Sequence, residues 1–368
     1  MNTKARTWFR AFSTASLLTL SVVLPVHHAQ ADEPGPVEPI EFNPALAELG
    51  KRLFFDPRLS GDTELSCASC HQPDKGFTDG QALSDAYAGN LHFRNVPTLI
   101  NSAKRAAWFH DGRIGTNLND VTRESITETY SMNMDMRLMQ ERLKQDPVYV
   151  EMFAAAGLGE PSNGGVRKAI PEYLKTLISR GAPFDTGEMS QDAKDGYVIF
   201  KAKGCNSCHS GERFTDDKPH NIGVPENPEI WSTPERHITF VAMMKFLGLE
   251  NYMNVRQDPG AYIRTHQPET YGGFITPTLR ELTHTAPYMH NGTMETLADV
   301  VAFYNEGGGD DPNKDPRLKP LGLSEWEQRK LVAFLESLSG DPLTGPEFVV
   351  EEIDTDYEPI ENWLEAVN

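Results

Sequence analysis

Residues 67–71 read Cys-Ala-Ser-Cys-His and residues 205–209 read Cys-Asn-Ser-Cys-His, and together they use all four cysteines of this 368-residue chain. The spacing has a chemical reason. Two thiols three positions apart can each form a thioether with one vinyl group of the same haem, and the adjacent His then lies under the ring to coordinate iron. A lone copy would also suit a redox dithiol or half a zinc site. Two copies that consume every cysteine leave none for disulfides and point to two covalently attached haem c groups, held by Cys67, Cys70 and His71 and by Cys205, Cys208 and His209.

The N-terminus supports export. Lys4, Arg6 and Arg10 precede an apolar stretch from about Ala11 to Val26, which ends at Ala29-Gln30-Ala31, a small-x-small cleavage pattern. The run is broken by Ser, Thr and Pro25 and is shorter than the ~20 residues that span a bilayer. A signal peptide over 1–31, a periplasmic mature protein and no membrane insertion are therefore expected. The formal charge is −19, which argues against nucleic acid and favours a basic protein partner.

Working outward from the motifs, the residues 44–55, PALAELGKRLFF, carry apolar positions at helical spacing and run into Asp56-Pro57. Residues 191–203 form a matching helix before the second motif. Further helices are expected at 136–156, interrupted by Asp146-Pro147, and at 167–179, 296–304 and 324–338. Residues 78–101 and 216–271 read as loop, and no β-pattern of any length is present. The fold class is mainly α: two cytochrome c-like haem domains with extensive loops, residues 32–188 and 189–345, followed by an acidic extension, 346–368.

The stretches FFDPRLSGDTELSCASCHQPDKGFTDG (54–80), RNVPTLIN (94–101), WFHDGR (108–113), FTDDKPHNIGV (214–224), TPTLRELTHTAPYMHNG (276–292), LADVVAFYN (297–305) and LVAFLESLSGD (331–341) resemble the bacterial di-haem cytochrome c peroxidase/MauG family. The resemblance covers nearly all of the mature chain with both haem sites in register. It implies that the His71 haem reacts with peroxide and that the His209 haem is six-coordinate and receives electrons. The far ligand of the second haem would be Tyr304, as in the MauG branch, rather than the Met of the peroxidase branch; Met289 and Met294 are the alternatives. A Ca²⁺ between the domains would be held by the Asn95 side chain and the carbonyls of Thr285 and Pro287.

Departures from the family pattern qualify the transfer. His110 stands where a Trp usually lies between the haems, with Trp108 two residues earlier; His110 is either an acid/base group or a satisfied buried His. The distal Glu normally follows Asn-Pro. Here Tyr130 falls at its position, and Glu128, then Glu124, are the candidate acid/base groups. Lys203 stands where one branch carries a Trp that draws electrons from a protein substrate. His92 lies near the place of a displaceable His ligand, and Met132, Met134 and Met136 read as packing near a haem.

The expected function is reduction of hydrogen peroxide to water with electrons from a small c-type cytochrome or cupredoxin. Two alternatives stand beside it: a MauG-like enzyme that uses peroxide to oxidise a partner protein's side chain, and a non-catalytic di-haem electron carrier. The resemblance also implies a possible homodimer.

Overall fold

The computed structural model describes residues 34–343. The expected leader, 1–31, and the acidic extension, 346–368, lie outside the described residues. Helix α1 (Pro44–Phe54) starts where the Asn43 side chain accepts from the Leu46 N–H (3.1 Å) and Pro44 supplies a pre-set φ. Its buried stripe, Ala47, Leu49, Gly50, Leu53 and Phe54, packs on a later helix in the same half. The helices that follow the first motif are α2 (Leu118–Thr127), α3 (Met136–Lys144), α4 (Pro147–Ala155) and α5 (Asn163–Leu174). After them come α6 (Gln191–Ala202), α7 (Pro234–Phe246), α8 (Leu297–Asn305) and α9 (Glu325–Glu336). The described sheet is one antiparallel pair of two-residue strands, β1 (Pro219–His220) and β2 (Phe274–Ile275). The chain is thus mainly helical with long irregular connections.

The chain builds the same crossing twice. α1 meets α5 at Gly50, where an added Cβ would lie 2.1 Å from the Ala169 carbonyl oxygen. α6 meets α9 at Gly196, where it would lie 2.0 Å from the Lys330 carbonyl oxygen. Only glycine allows backbones so close. The repetition extends to the loops. His71 Nδ1 lies 3.0 Å from the Phe77 carbonyl and His209 Nδ1 lies 3.0 Å from the Phe214 carbonyl, with Phe77 and Phe214 both at positive φ. The Thr98 hydroxyl donates to the Gly76 carbonyl (2.6 Å) as Thr278 donates to Arg213 (2.7 Å). Antiparallel bridges Trp108–Ile114 and Tyr288–Met294 close two matching turns.

Three apolar cores result. One surrounds α1 and α5, and another surrounds α6 and α9. The third joins Leu83, Phe93 and Tyr130 from the first half to Ile230, Phe240, Met243 and Met244 from the second. Residues 216–271 are mostly irregular, as expected, but they contain the unexpected 13-residue helix α7, on which this third core is built. Pro and Asn residues on either side obscure α7. Its apolar residues also face both ways: Phe240 and Met244 are fully buried, whereas Ile238 and Phe246 are exposed.

Two further differences concern α2, which was not expected, and α5, expected at 167–179. α5 starts earlier because Ser162 caps it, accepting from the Gly165 N–H (3.2 Å). It ends earlier because Asn101 captures Ser179, accepting from its backbone N–H (2.9 Å) and donating to its hydroxyl (2.6 Å). Elsewhere the expected helices stand, with Asp146-Pro147 separating α3 from α4.

Two buried arginines join the α7 region to the first half. Arg94 pairs with Asp258 and Asp111. Arg236, on α7, donates to the Ser84 carbonyl (2.9 Å) and to the His92 carbonyl.

Candidate functional site

The first motif opens onto a cavity of about 210 Å³. Cys67, Cys70 and His71 line it, together with His92, His110, Trp108, Arg105, Arg113, Glu124, Glu128 and Tyr130. Burial pushes both thiols up to about 12. Burial also lowers His71 to about 4, so its imidazole is neutral. With Nδ1 donating to the Phe77 carbonyl, Nε2 keeps its lone pair for a metal.

Two donors test whether a haem suits this cavity, a cation without a carboxylate partner and an N–H without an acceptor. The Arg105 guanidinium is partly buried and donates to the Thr98 carbonyl (2.8 Å), yet it forms no ion pair among the described residues. Burial, and then Arg213 nearby, lower it to about 10. The Trp108 indole N–H is buried without an acceptor, and Arg105 lies 5.5 Å from its ring centroid. A partly buried cation and an orphaned N–H in the cavity of the attachment cysteines are what the propionates of a haem would satisfy. The donor set fits the group.

Also lining the cavity, Arg113 Nε donates to Glu124 Oε1 at 2.5 Å while its Nη1 donates to both Asp111 carboxylate oxygens (3.1 and 2.9 Å). Glu124 is thus fixed in an ion pair. Glu128 ends α2, and burial, followed by the Glu124 charge, raises its carboxyl. Tyr130 is buried and pushed up to about 12, so its phenol is neutral. His92 accepts from the Arg94 N–H (3.1 Å), and burial, then Arg94, lower it to about 3. His110 has one nitrogen committed, with Nε2 donating to the Asn95 carbonyl (2.9 Å), and its ring centroid lies 6.5 Å from that of His290. It is partly buried on the cavity wall.

At the second motif, burial pushes Cys205 up to about 11 and also raises Cys208. Tyr304, on α8, is brought to this pair. Burial first, and then the Cys205 and Cys208 thiols, push its phenol up. Met294 is buried in the bridge to Tyr288, and Met289 occupies a positive-φ turn position. Lys203 is exposed and donates to the Leu321 carbonyl (2.7 Å). Met132 and Met134 belong to the first core, with Met136 packed against it.

The residues expected to hold calcium lie along the contact between the halves. The Asn95 N–H donates to the His290 carbonyl (2.8 Å), and its side-chain NH₂ donates to the Gln81 carbonyl (2.7 Å). Thr285 follows the turn Leu282–His284, and the Ala286–Pro287 peptide bond is cis. A Cβ on Gly76 would lie 3.0 Å from the Thr285 methyl.

Sequence reasoning missed Arg105, Arg113 and the Trp108 indole N–H as site groups. Arg113 lies within the WFHDGR stretch, which was a usable signal. Arg105 carried none, because its role depends on the absence of a carboxylate partner.

The family model described as di-haem cytochrome c peroxidase matches residues 44–194. The chain is 47% identical over 325 residues to the cytochrome-c peroxidase IdrP2 of Denitromonas iodatirespirans, covering 86% of each protein. It is 36% identical over 312 residues to the methylamine utilization protein MauG of Methylorubrum extorquens, covering 81% of this chain and 79% of that one. The fold superposes with a TM-score of 0.72 on a MauG-like protein associated with microbial copper homeostasis, at 24% identity over 90% of this chain and 99% of that one.

Proposed function

The chain belongs to the di-haem cytochrome c peroxidase family, and from that membership we propose that it reduces hydrogen peroxide to water in the His71 cavity, with electrons entering through the His209 half. It is a di-haem peroxidase with two haem c groups. The observation that carries the assignment of sites is the cavity itself, with Cys67, Cys70 and His71 on its wall together with Arg113, Glu124 and Glu128. When bound there, a haem would supply the redox chemistry that reduces peroxide.

The protein's own groups then divide the work. His71, oriented by the Phe77 carbonyl, would hold the iron through Nε2. Arg105 and the Trp108 N–H would hold the propionates. Glu128, whose carboxyl is raised, takes a proton from the near oxygen of peroxide and returns it to the departing one. Glu124, pinned by Arg113, adds a fixed dipole and cation beside the developing charge. His110 holds the cavity wall through Asn95.

Tyr304 is proposed to hold the iron of the second haem together with His209, supported by the influence of the Cys205 and Cys208 thiols on its phenol. Asn95, Thr285 and Pro287 are proposed to hold Ca²⁺, the Asn95 amide oxygen remaining as donor because the NH₂ serves Gln81. Residues 32–188 and 189–345 are read as two cytochrome c-like domains, supported by the repeated glycine crossing. A small basic c-type cytochrome or cupredoxin is the proposed donor, given the charge of −19. The protein is proposed to be exported to the periplasm and to form a homodimer. No helix among the described residues is long and apolar enough to cross a membrane.

Tyr304 favours one second reading, MauG-like oxidation of a partner protein. Exposed Lys203 provides no oxidisable ring at the corresponding surface position. Steady-state oxidation of a reduced small cytochrome c, with and without hydrogen peroxide, tests the assignment. Rapid peroxide-dependent turnover is expected. A peroxide-altered haem spectrum with the cytochrome still reduced would favour the second reading, and no reaction of either haem with peroxide would favour an electron carrier.

A further inference from the structure

An unbroken row of rings leads from the cavity to the molecular surface. Tyr130 lines the cavity and meets His92 edge to face, with centroids 5.9 Å apart. His92 stacks on Phe93 at 5.1 Å, Phe93 meets Phe240 of α7 at 5.1 Å, and Phe240 meets Trp231 at 5.0 Å. Tyr130, Phe93 and Phe240 are buried in the third core, whereas Trp231 is only partly buried at its edge. The ends of the row are a phenol and an indole, the two side-chain types that give up an electron most readily. The rings between them are hard to oxidise and provide a packed bridge. Arg236 fixes the bridge by holding the Ser84 and His92 carbonyls. Beside Trp231 stands His237, 5.7 Å between centroids, with a buried Nε2 that has no partner.

We infer that Tyr130, His92, Phe93, Phe240 and Trp231 form a second exit for oxidising equivalents, ending at Trp231, where a small phenolic reductant in solution returns the electron. The inference rests on the peroxide chemistry proposed above, which supplies the oxidant. Tyr130 loses one electron to the oxidant that peroxide generates in the cavity, and its phenolic proton to Glu128. Trp231 then gives an electron to Tyr130, which recovers its proton from Glu128, while the indole proton leaves to solvent at the partly exposed edge of the ring and one solvent proton is taken up at the peroxide. The phenol restores both the electron and the proton to Trp231. Two such passes balance as H₂O₂ + 2 ArOH → 2 H₂O + 2 ArO•. Without a reductant, the oxidising equivalent stays on Trp231 and marks it.

The test treats the di-haem holoprotein with hydrogen peroxide in the absence of any donor, follows peroxide consumption, and locates oxidised tryptophan by peptide mass spectrometry. Trp326, exposed and outside the row, reports oxidation from bulk solution. The expected result is oxidation at Trp231 well above that at Trp326, lost several-fold in Tyr130→Phe and in Phe240→Leu, and suppressed by hydroquinone. Tyr130→Phe keeps its ring in the core, and an unchanged haem spectrum verifies that each variant is folded. Peroxide consumption with Trp231 unmodified, or modified equally in Tyr130→Phe, overturns the exit while leaving peroxide reduction intact. No peroxide consumption removes the peroxidase reading, and the exit falls with it.

Discussion

Arg94 and Asp258 meet across 164 residues of chain in a bidentate ion pair, Nε to Oδ2 at 2.7 Å and Nη2 to Oδ1 at 2.8 Å, with both side chains buried. The same guanidinium reaches Asp111 at 2.5 Å, so one cation ties the cavity turn of the first half to a loop of the second. Removing one member of a buried pair leaves an uncompensated charge, which costs about 3–5 kcal/mol. Asp258→Asn should therefore lower the thermal midpoint of the holoprotein sharply while leaving both haems attached. An unchanged midpoint would mean that Asp111 alone compensates Arg94.

Acid should weaken the same junction within a defined window. Burial opposes ionisation of Asp111, but Arg113 and Arg94 outweigh it and hold the carboxyl at about 2. A carboxyl whose folded value lies below its unfolded value stabilises the fold above the unfolded value, ~3.9, and the contribution disappears as pH falls through the folded value. Between about pH 4 and pH 2, stability should drop by on the order of 2 kcal/mol from this group. In Asp111→Asn that component should be missing from a stability profile over the same range.

The two cavity carboxylates should separate kinetically. Glu128→Gln removes the group assigned to the proton and should slow peroxide reduction by roughly 10²–10⁴-fold, the usual range for general acid–base catalysis. Glu124→Gln keeps a hydrogen-bond acceptor for Arg113 and should cost much less. Rapid-mixing measurements of the haem spectral change after peroxide addition distinguish them, and equal losses would move the proton role away from Glu128.

At the second haem, Tyr304→Met replaces a hard oxygen donor with a thioether that favours ferrous iron. Spectroelectrochemical titration should find the potential of that haem raised, with ~59 mV for each tenfold change in the one-electron equilibrium. An unaltered potential and spectrum would show that Tyr304 is a packing residue.

What could be read from the chain in advance was what lies close together in it. Cys67 to His71 and Cys205 to His209 declare themselves within five residues, and α1, α6, α8 and α9 carry their own caps and stripes. α7 escaped because its exposed Ile238 and Phe246 blur the stripe that Phe240 and Met244 would draw. The Arg94–Asp258 pair and the Arg105–Trp108 cradle escaped for a different reason. Their meaning lies in burial and in which partner is present or missing, and neither property is local in sequence.

The third core has a consequence for modularity. Leu83, Phe93 and Tyr130 are covered by Ile230, Phe240 and Met243, so a chain cut near residue 188 would leave each half with a raw apolar face. The two repeats are therefore not interchangeable cassettes that a gene could split or shuffle as free-standing single-haem cytochromes. A substitution on α7 therefore reaches the cavity through the core it shares with Phe93 and Tyr130.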